Sequence, residues 1–571
     1  MKVLSIAVIL LLSGINFLGI NSGLPSREKA ISLFGSTENW HKNIIQMVRQ
    51  REEYYTQIAN LKKSKNLEDD LKNIYDYSRK ILPGTEMSAD YKLWQARGYL
   101  LGPLNSDEQR TLVAVGNMNP KKFDFNPNDF TYGGLYFIFV GVAFLAGKIS
   151  TILSLSPQVD YYLAHPEEVA RMYILARLIS FLAVVLLLVL LYCFARKYWS
   201  KGTALLAVIF LGLNPLININ SHLAKPHTLA ALMSFISFVY FWKIFTNCHQ
   251  QRDYFLAGIF SGLTAALAYP YAFNGLALIA LGTITLDTQR RKSLAITLLA
   301  FVFAFGLFNF YLPFSWREFV NQKRGLEILF NYGVVGLPPR EFWGTFFRTN
   351  LVWFLLPLLF LGSKDIVPAQ GRTLLLLYPV VVLLSDILYF HHPNIFISQQ
   401  PIVAIILARG FLVVWKKKIF LWRTALGAAI AILFLNSFAQ SFLQLKPKNL
   451  SESALWINQH IPAKKRLGVF SPYLSPGTFP PIDFFRYHLI YFRPEPERPE
   501  SRLGKIPADY LIAIGNEYMP TPDFSLCQEF RQPVIANYLL GYGLFSGEFI
   551  PVKIYSKNEN LIDQSSNKTG H

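Results

Sequence analysis

An adjacent pair of carboxylates, Asp107 and Glu108, lies in the polar segment "GPLNSDEQRTLVAVGNMNPKKFDFNPNDFTYGGLYF", which leads into an apolar run that begins at Tyr132. A carboxylate near a membrane surface can act as general base for an acceptor hydroxyl or amine, or hold that acceptor for attack. The pair is equally compatible with a solvated loop charge, or with the first turn of a helix that has Ser106 as its N-cap. It is therefore a candidate catalytic site with two structural alternatives.

Cationic and imidazole side chains recur in the other loops that we expect on the same side of the membrane. Such groups suit an anionic phosphate or pyrophosphate leaving group, because they stabilise the charge that develops on it. Each could also be an ordinary surface residue, since Lys and Arg side chains snorkel toward water. Their convergence on one face is the informative feature. The candidates for donor phosphate binding are Lys225, His222, Arg324, Arg340, His391 and His392, and the substrate-lining candidates are Tyr132, Asp129 and His227.

The composition identifies the environment in which these residues must work. Of the 571 residues, 52% are hydrophobic and only 16% are charged, whereas a soluble chain carries about a quarter charged residues. The chain is therefore predicted to be a polytopic α-helical membrane protein. Its net charge of +19 lies largely in short loops, where topology alone favours Lys and Arg, so nucleic-acid binding is not indicated. The three cysteines have no metal or disulfide spacing, and no metal site is predicted.

Apolar runs and basic loops together predict the topology. Short basic loops, such as those at 195–202 and 287–293, are placed in the cytoplasm. The run at 132–154 cannot then cross the membrane without inverting every later helix, so we expect a juxtamembrane or interfacial helix there. This leaves about 11 transmembrane helices. The apolar runs lie at about 3–20, 132–154, 171–194, 202–219, 226–245, 254–269, 271–287, 293–314, 345–361, 372–390, 395–415 and 422–442.

The same reasoning divides the chain into regions. Periodic apolar positions predict a helical hairpin at 38–82, packed on the membrane-facing core. "SESALWINQHIP" predicts a helix, and "RLGVFSP" and "ADYLIAIGN" predict strands of a small α/β unit. The predicted regions are a first transmembrane helix or signal anchor (1–20), an extracytoplasmic first loop with the hairpin and acidic pair (21–131), the interfacial helix (132–154), the transmembrane bundle (171–442), an extracytoplasmic α/β domain (443–557) and a disordered tail (558–571). A cleaved signal peptide is the alternative for the first region.

The order of these elements resembles a known class. The pattern "ARLIS…ARKYWSKGTALLA…LNPL" at 176–216 is similar to the GT-C class of integral-membrane glycosyltransferases. It most resembles bacterial relatives of protein O-mannosyltransferases and lipid A aminoarabinose transferases. "WINQHIP", "GVFSP" and "DYLIAIG" are similar to the periplasmic end-domain of many such proteins.

The resemblance implies transfer of a sugar from a polyprenyl-phosphate donor to a glycan, lipid or protein acceptor at the outer face of the plasma membrane. The loop charges place the N-terminus in the cytoplasm and the C-terminal domain outside, and the resemblance implies Asp107 as base or acceptor-positioning residue with Glu108 beside it. No cofactor is certain, and a divalent metal ion at the acidic residue is left open. The sugar, lipid carrier, acceptor, stereochemical outcome and oligomeric state are open as well.

Two alternative functions are compatible with a membrane protein of this kind. A flippase or transporter for a lipid-linked saccharide would place ionisable residues at the middle of broken helices in a repeated chain. Here the apolar runs are nearly free of charge and no repeat is evident. A non-catalytic assembly scaffold would use the hairpin and the tail for docking, and would tolerate replacement of Asp107.

Overall fold

The structure is a computed structural model. The residues it describes are 2–63, 65–66, 85–103, 105–246, 250–331, 369–385, 393–416, 420–445, 449–470, 479–492, 507–515, 523–531 and 551–558. The predicted apolar run at 345–361, the second helix of the predicted hairpin and the tail from 559 lie outside these residues.

Apolar helices occupy most of the runs that the sequence predicts, and they make this chain a polytopic helical membrane protein. Their shared core includes Leu12, Phe194, Trp242, Tyr378 and Phe411. The helices are α1 (Lys2–Phe17), α9 (Pro166–Tyr198), α10 (Lys201–Gly212), α11 (Pro215–Ser221), α12 (His227–Phe245), α13 (Gln251–Leu267), α14 (Ala272–Thr285), α15 (Thr288–Phe308), α17 (Ala369–Ser385), α18 (Gln400–Lys416) and α19 (Phe420–Leu445).

Within the described residues, four helices are both long and apolar enough to cross a membrane, or five if a bent pair counts as one span. The four are Pro166–Tyr198, His227–Phe245, Arg290–Phe308 and Phe396–Lys416. A span needs roughly 17–25 residues. The total of about 11 spans stays a prediction.

The bent pair corrects one prediction, because the run at 202–219 is two helices and not one. Helices α10 and α11 meet at an angle of 60°. The break falls at Pro215, which has no backbone N–H and disfavours helical geometry in the residue before it. The Asn214 side chain caps the new helix by accepting a hydrogen bond from the Leu216 N–H at 2.9 Å. The chain then reaches the 222–226 turn in a fixed direction.

Shorter helices lie between α1 and α9. They are α2 (Arg27–Phe34), α3 (Thr37–Lys42), α4 (Ile44–Lys63), α5 (Ala89–Leu101), α6 (Ser106–Asn117), α7 (Gly134–Ile149) and α8 (Val159–Ala164). The apolar α7 is the predicted interfacial helix. Its 16 residues fall just short of the usual length of a span, about 17–25 residues. Its position relative to the bilayer stays a prediction.

After α20 (Asn449–His460) the chain forms a five-stranded mixed sheet. The strands are β1 (Arg466–Phe470), β2 (His488–Phe492), β3 (Tyr510–Ile514), β4 (Phe524–Phe530) and β5 (Val552–Lys557), in the order β2-β1-β3-β5-β4. Strand β1 is parallel to β2 and β3, and β5 is antiparallel to β3 and β4. The two predicted strands are β1 and β3, and the predicted helix is α20.

The sheet and the N-terminal helices share one core, which the sequence did not predict. Phe34, Trp40 and Met47 of α2–α4 are buried in the same cluster as Leu489 and Ile512 of the sheet. The prediction that the hairpin packs on the membrane-facing core was wrong for its first part, since α4 belongs to this separate cluster. Residues far apart in sequence therefore build a single unit beside the bundle, which we call the soluble unit because its sheet is predicted to lie outside the membrane.

A second correction concerns the segment between the apolar runs that end at 314 and begin at 345, where Arg324 was expected in a loop. Its first part is the helix α16 (Trp316–Asn331). The helix is amphipathic, with Phe319 packed on Phe130 at 5.9 Å between ring centroids and Trp316 largely exposed. A mixture of charged and aromatic residues hid its helical period.

Candidate active site

The acidic pair occupies the first turn of α6, where carboxylates interact favourably with the helix dipole. The N-cap is Asn105, whose side-chain oxygen accepts a hydrogen bond from the Asp107 N–H at 3.1 Å. The predicted N-cap, Ser106, is instead the first residue of the helix. The helix-capping chemistry is therefore present, but it accounts only for where the pair lies and not for what each carboxylate contacts.

Glu108 is fully buried and both of its oxygens are engaged. The guanidinium of Arg177 donates to Oε2 through Nε and to Oε1 through Nη2, each at 2.8 Å. The Ala224 N–H also donates to Oε2 at 2.8 Å. A bidentate, charge-assisted pair of this kind fixes geometry strongly. Glu108 is therefore held in a closed network.

The same network fixes the turn at 222–226. Arg177 also donates through Nη1 to the carbonyl oxygens of Ile20 and Ser22, each at 2.8 Å. Thr111 Oγ1 donates to the Ala224 carbonyl at 2.9 Å, and Ser180 Oγ donates to the Leu223 carbonyl at 2.7 Å. Helices α1, α6 and α9 are thus tied to the turn that carries Lys225.

Asp107 has a different environment. One of its oxygens lies 2.7 Å from Nζ of Lys225, yet its side chain is 50% exposed while that of Lys225 is 4% exposed. Burial disfavours charge on Lys225, but the Asp107 carboxylate, together with Tyr132 and Glu108, outweighs that effect and raises the pKa of the Lys225 ammonium above its usual range. The carboxylate of this ion pair is thus accessible to solvent, whereas its ammonium is buried.

A second carboxylate, Asp129, lies beside this pair. It accepts from the Thr131 N–H at 2.8 Å and from Nε2 of Gln322 on α16 at 3.1 Å. Burial would raise its pKa, but the Arg110 guanidinium and these hydrogen bonds hold the pKa of Asp129 below its usual value. Arg110 donates to Thr131 Oγ1 at 2.9 Å. Asp129 is therefore an anchor between α6 and α16.

Lys323, next to Gln322, adds a further cation. Its Nζ lies 5.2 Å from the ring centroid of Tyr269 and 5.7 Å from that of Phe319. Burial lowers the pKa of Lys323 to about 8, with Asp129 opposing the shift and Arg110 adding to it. The described cluster thus holds Lys225, Arg110 and Lys323 around Asp107 and Asp129.

Tyr132 lies among these charges. Burial raises its pKa to about 12, and Lys225, Asp107, Arg110 and Asp129 all act on it. Its ring packs edge-on to His227, with centroids 5.9 Å apart. Nδ1 of His227 in turn lies 2.8 Å from the hydroxyl of Tyr271. Tyr132 and His227 therefore line the cluster from the bundle side.

Gly133 allows the chain to enter the bundle at this point. Its N–H donates to the Leu267 carbonyl at 3.0 Å, and a Cβ atom at this position would collide with the Ala266 carbonyl oxygen. The Gly134 N–H donates to Oδ1 of Asn309 at 3.0 Å. The glycines thus fix the end of the acidic segment against α13 and α15.

His222 does not join the charged cluster as predicted. Its Nδ1 lies 2.7 Å from the Asn218 carbonyl oxygen and its Nε2 lies 2.6 Å from that of Leu18. Both ring nitrogens therefore face the backbone. The predicted Arg324 is exposed on α16, and its neighbour Lys323 is the cation that faces Asp129. Arg340, His391 and His392 lie outside the described residues.

Sequence reasoning missed Arg110, Arg177, Gln322 and Lys323. Two signals could have found the arginines: Arg110 lies three residues after Asp107 on the same helix, and Arg177 is a charge within an apolar run. The two α16 residues had no such signal, because their helix was predicted as a loop.

The described residues do not suit a divalent ion. No group of three or more His, Cys, Asp or Glu side chains able to hold a metal occurs in the part of the chain that the structure describes. Asp107 and Asp129 are each compensated by cationic side chains, which repel a metal ion.

The helices and the site together define a membrane protein with a charged cluster at one end of a helical bundle, where the bundle meets a soluble unit. Residues 172–316 match the family described as dolichyl-phosphate-mannose-protein mannosyltransferase. The match includes most of α9 and the Lys225 turn, and it confirms the resemblance to GT-C glycosyltransferases. Among the curated proteins, none matches the sequence.

Solved structures of two such enzymes are distantly similar. The oligosaccharyltransferase of Archaeoglobus fulgidus, in complex with zinc and sulfate, is 14% identical, with a TM-score of 0.42 over 72% of this chain and 64% of its own. ArnT from Cupriavidus metallidurans bound to undecaprenyl phosphate is 11% identical, with a TM-score of 0.42 over 80% of this chain and 94% of its own. This chain therefore spans less than two thirds of the archaeal enzyme, and likeness at these TM-scores transfers no activity.

Proposed function

We propose that this chain is a membrane glycosyltransferase that moves a sugar from a polyprenyl-phosphate-linked donor to an acceptor at the outer face of the membrane. The family match at 172–316 supports the class of reaction. The observation that carries the assignment of the site is the half-exposed Asp107 carboxylate, 2.7 Å from the buried ammonium of Lys225. The acceptor is a glycan, lipid or protein with a free hydroxyl or amine.

In the proposed reaction the acceptor oxygen or nitrogen forms a bond to the anomeric carbon of the sugar. The bond from that carbon to the phosphate oxygen breaks, and its electron pair leaves with the lipid phosphate. Asp107 takes the acceptor proton.

The cations beside Asp107 support the leaving-group side of this proposal. Once Asp107 is protonated it no longer compensates Lys225, so the ammonium becomes available to the phosphate that leaves. Arg110 and Lys323 share the carboxylate of Asp129 and add positive charge next to it. Prepositioned charges of this kind stabilise a developing anion without reorganisation.

Glu108 has a different proposed role. Its oxygens are engaged by Arg177 and the Ala224 N–H, and its side chain is buried away from solvent. We assign it to positioning of the Lys225 turn.

The test is transfer by the purified protein in liposomes, with a panel of radiolabelled polyprenyl-phosphate sugars. We expect transfer by the wild type and a loss of about 10²–10⁴-fold in Asp107→Asn. The matched control is Asp523→Asn, which changes an exposed carboxylate next to β4. Full transfer by Asp107→Asn would reject Asp107 as base, and transport of a donor without transfer would favour the flippase.

The proposed sidedness, with the sheet outside and the basic loops in the cytoplasm, is tested with the natural cysteines. Cys527 lies on β4 and is partly exposed, and Cys248 lies in a basic loop of the sequence. In a Cys193→Ser background, a membrane-impermeant maleimide added to intact cells should label Cys527 and spare Cys248. The reverse pattern contradicts the topology.

A further inference from the structure

Next to the candidate active site, the soluble unit contains a cluster of cations and tyrosines that the proposed reaction does not use. Arg97 of α5 is 7% exposed. Its single hydrogen bond among the described residues is a long one, 3.4 Å from Nη1 to the Met47 carbonyl oxygen. A guanidinium has five N–H donors, so most of its donor capacity is unused.

No carboxylate lies within ion-pair distance of Arg97 in the described part of the chain. The neighbouring charge is instead another cation: Arg51, one helical turn from Met47 on α4, lies with Cζ 4.6 Å from the ring centroid of Tyr55. Burial lowers the pKa of Arg97 to about 10, with Tyr55 opposing the shift and Arg51 adding to it. A buried charge is stable only when it is compensated, and the residues described around Arg97 supply no anion.

Two aromatic rings complete the cluster. Tyr54 and Tyr55 lie edge to face, with centroids 5.4 Å apart, and Tyr54 is 42% exposed. Tyrosine rings present an apolar face and a hydroxyl together, which suits the mixed apolar and hydroxyl surfaces of a sugar. Arginine is the side chain best suited to bind a carboxylate or phosphate in bidentate fashion.

The cluster is continuous with the candidate active site. Helix α4 packs on α16, which carries Gln322 and Lys323. The charge of Asp129 acts on Tyr55, and Tyr54 acts on Arg110. A molecule held at Arg51 and Arg97 therefore lies close to the charged cluster, on the side of the soluble unit and not of the bundle.

We propose that Arg51, Arg97, Tyr54 and Tyr55 form an acceptor subsite for a saccharide that carries an anionic group, either a carboxylate or a phosphate. The arginines bind the anion and Tyr54 packs on the sugar ring. The lipid-linked donor approaches from the bundle side, and the acceptor from the soluble side. The role of this subsite in catalysis rests on the proposed function, but binding of a saccharide to it can be measured independently of that function.

Binding is measured first, by calorimetry on the purified full-length protein in detergent. The probes are trigalacturonate, mannose 6-phosphate and neutral mannotriose. We expect an anionic probe to bind and mannotriose not to bind, and the two anionic probes distinguish a carboxylate from a phosphate. Arg51→Gln should weaken binding by about tenfold or more. Arg49→Gln, on the same helix two residues away, should leave it unchanged.

Arg97→Gln is the second variant, and we expect it to weaken binding as well. Its binding is interpreted only if its thermal midpoint matches that of the wild type; otherwise Arg51→Gln alone tests the inference. In liposomes with the donor, Arg51→Gln should raise the KM for an anionic acceptor, and the control Arg49→Gln should leave that KM unchanged. Binding without any transfer keeps this inference and rejects the proposed function. Equal binding of charged and neutral probes, or an equal loss in Arg49→Gln, overturns the inference.

Discussion

Glu108 and Asp107 are consecutive in the chain, yet they belong to two regions with different physical properties. The Glu108 region is closed: carboxylate, guanidinium and backbone groups compensate one another away from water. The Asp107 region is open, because its carboxylate is half exposed and is paired with the buried Lys225. A closed network determines position, whereas an open ion pair can exchange its partner for a substrate. The difference assigns positioning to one carboxylate and chemistry to the other.

Breaking the closed region should have the largest effect on stability. Glu108→Gln removes the carboxylate that pairs with the buried Arg177, and removal of one partner of a buried ion pair costs about 3–5 kcal/mol. We expect the free energy of unfolding to fall by that amount, measured by chemical denaturation in detergent. Glu53→Gln, an exposed carboxyl on α4, should change it little.

A double variant sharpens this prediction. Glu108→Leu with Arg177→Met removes both charges and should recover part of the stability lost in Glu108→Gln, because no uncompensated charge is left. If Glu108→Gln is as stable as the wild type, the closed network is not what fixes the Lys225 turn.

The next effect concerns the entry of the acidic segment into the bundle. Gly133→Ala places a Cβ against the Ala266 carbonyl oxygen, so we expect a loss of about 1–3 kcal/mol in the free energy of unfolding. The control is Gly116→Ala on α6, where no atom lies within 4 Å of the added carbon. That change should be neutral or slightly stabilising, since it removes a helical glycine. Equal effects of the two changes contradict the close approach.

A smaller effect should depend on pH. The pKa of Lys323 is lowered by burial from 10.5 to about 8, so the unfolded chain binds more protons than the folded one between those values. Stability from this residue therefore rises as pH increases from about 8 to 10.5. Lys323→Met should remove roughly 1 kcal/mol of that rise, allowing for screening by solvent.

We would measure the free energy of unfolding of the wild type and of Lys323→Met across the pH range that spans both pKa values, and follow the difference between the two proteins. Lys122→Met, an exposed lysine near the same segment, serves as control. A difference that stays flat with pH contradicts the burial of Lys323 beside Asp129.

The helices of the bundle, the strands β1 and β3 and the acidic pair could be predicted from the sequence, because each leaves a local signal in hydropathy or turn residues. The different environments of Asp107 and Glu108 could not be predicted. The difference between the two environments depends on Arg177 and on the 222–226 turn, which are remote from the acidic pair in sequence. The shared core of α2–α5 and the sheet was missed for the same reason, because no local sequence pattern indicates that Met47 and Ile512 lie in one cluster. Helix α16 was missed because its charged and aromatic residues are mixed along the chain.

The most direct test of the account compares the two neighbours in one experiment. Transfer activity per folded molecule and the thermal midpoint are measured side by side for Asp107→Asn and Glu108→Gln in liposomes. Because the amide oxygen of Asn can still accept a hydrogen bond from the buried Lys225 ammonium, we expect the midpoint of Asp107→Asn to fall less than that of Glu108→Gln, while its activity falls by about 10² or more. We predict that the midpoint of Glu108→Gln falls and that its remaining folded fraction is active. A stable Glu108→Gln without activity, beside an active Asp107→Asn, would contradict the assignment.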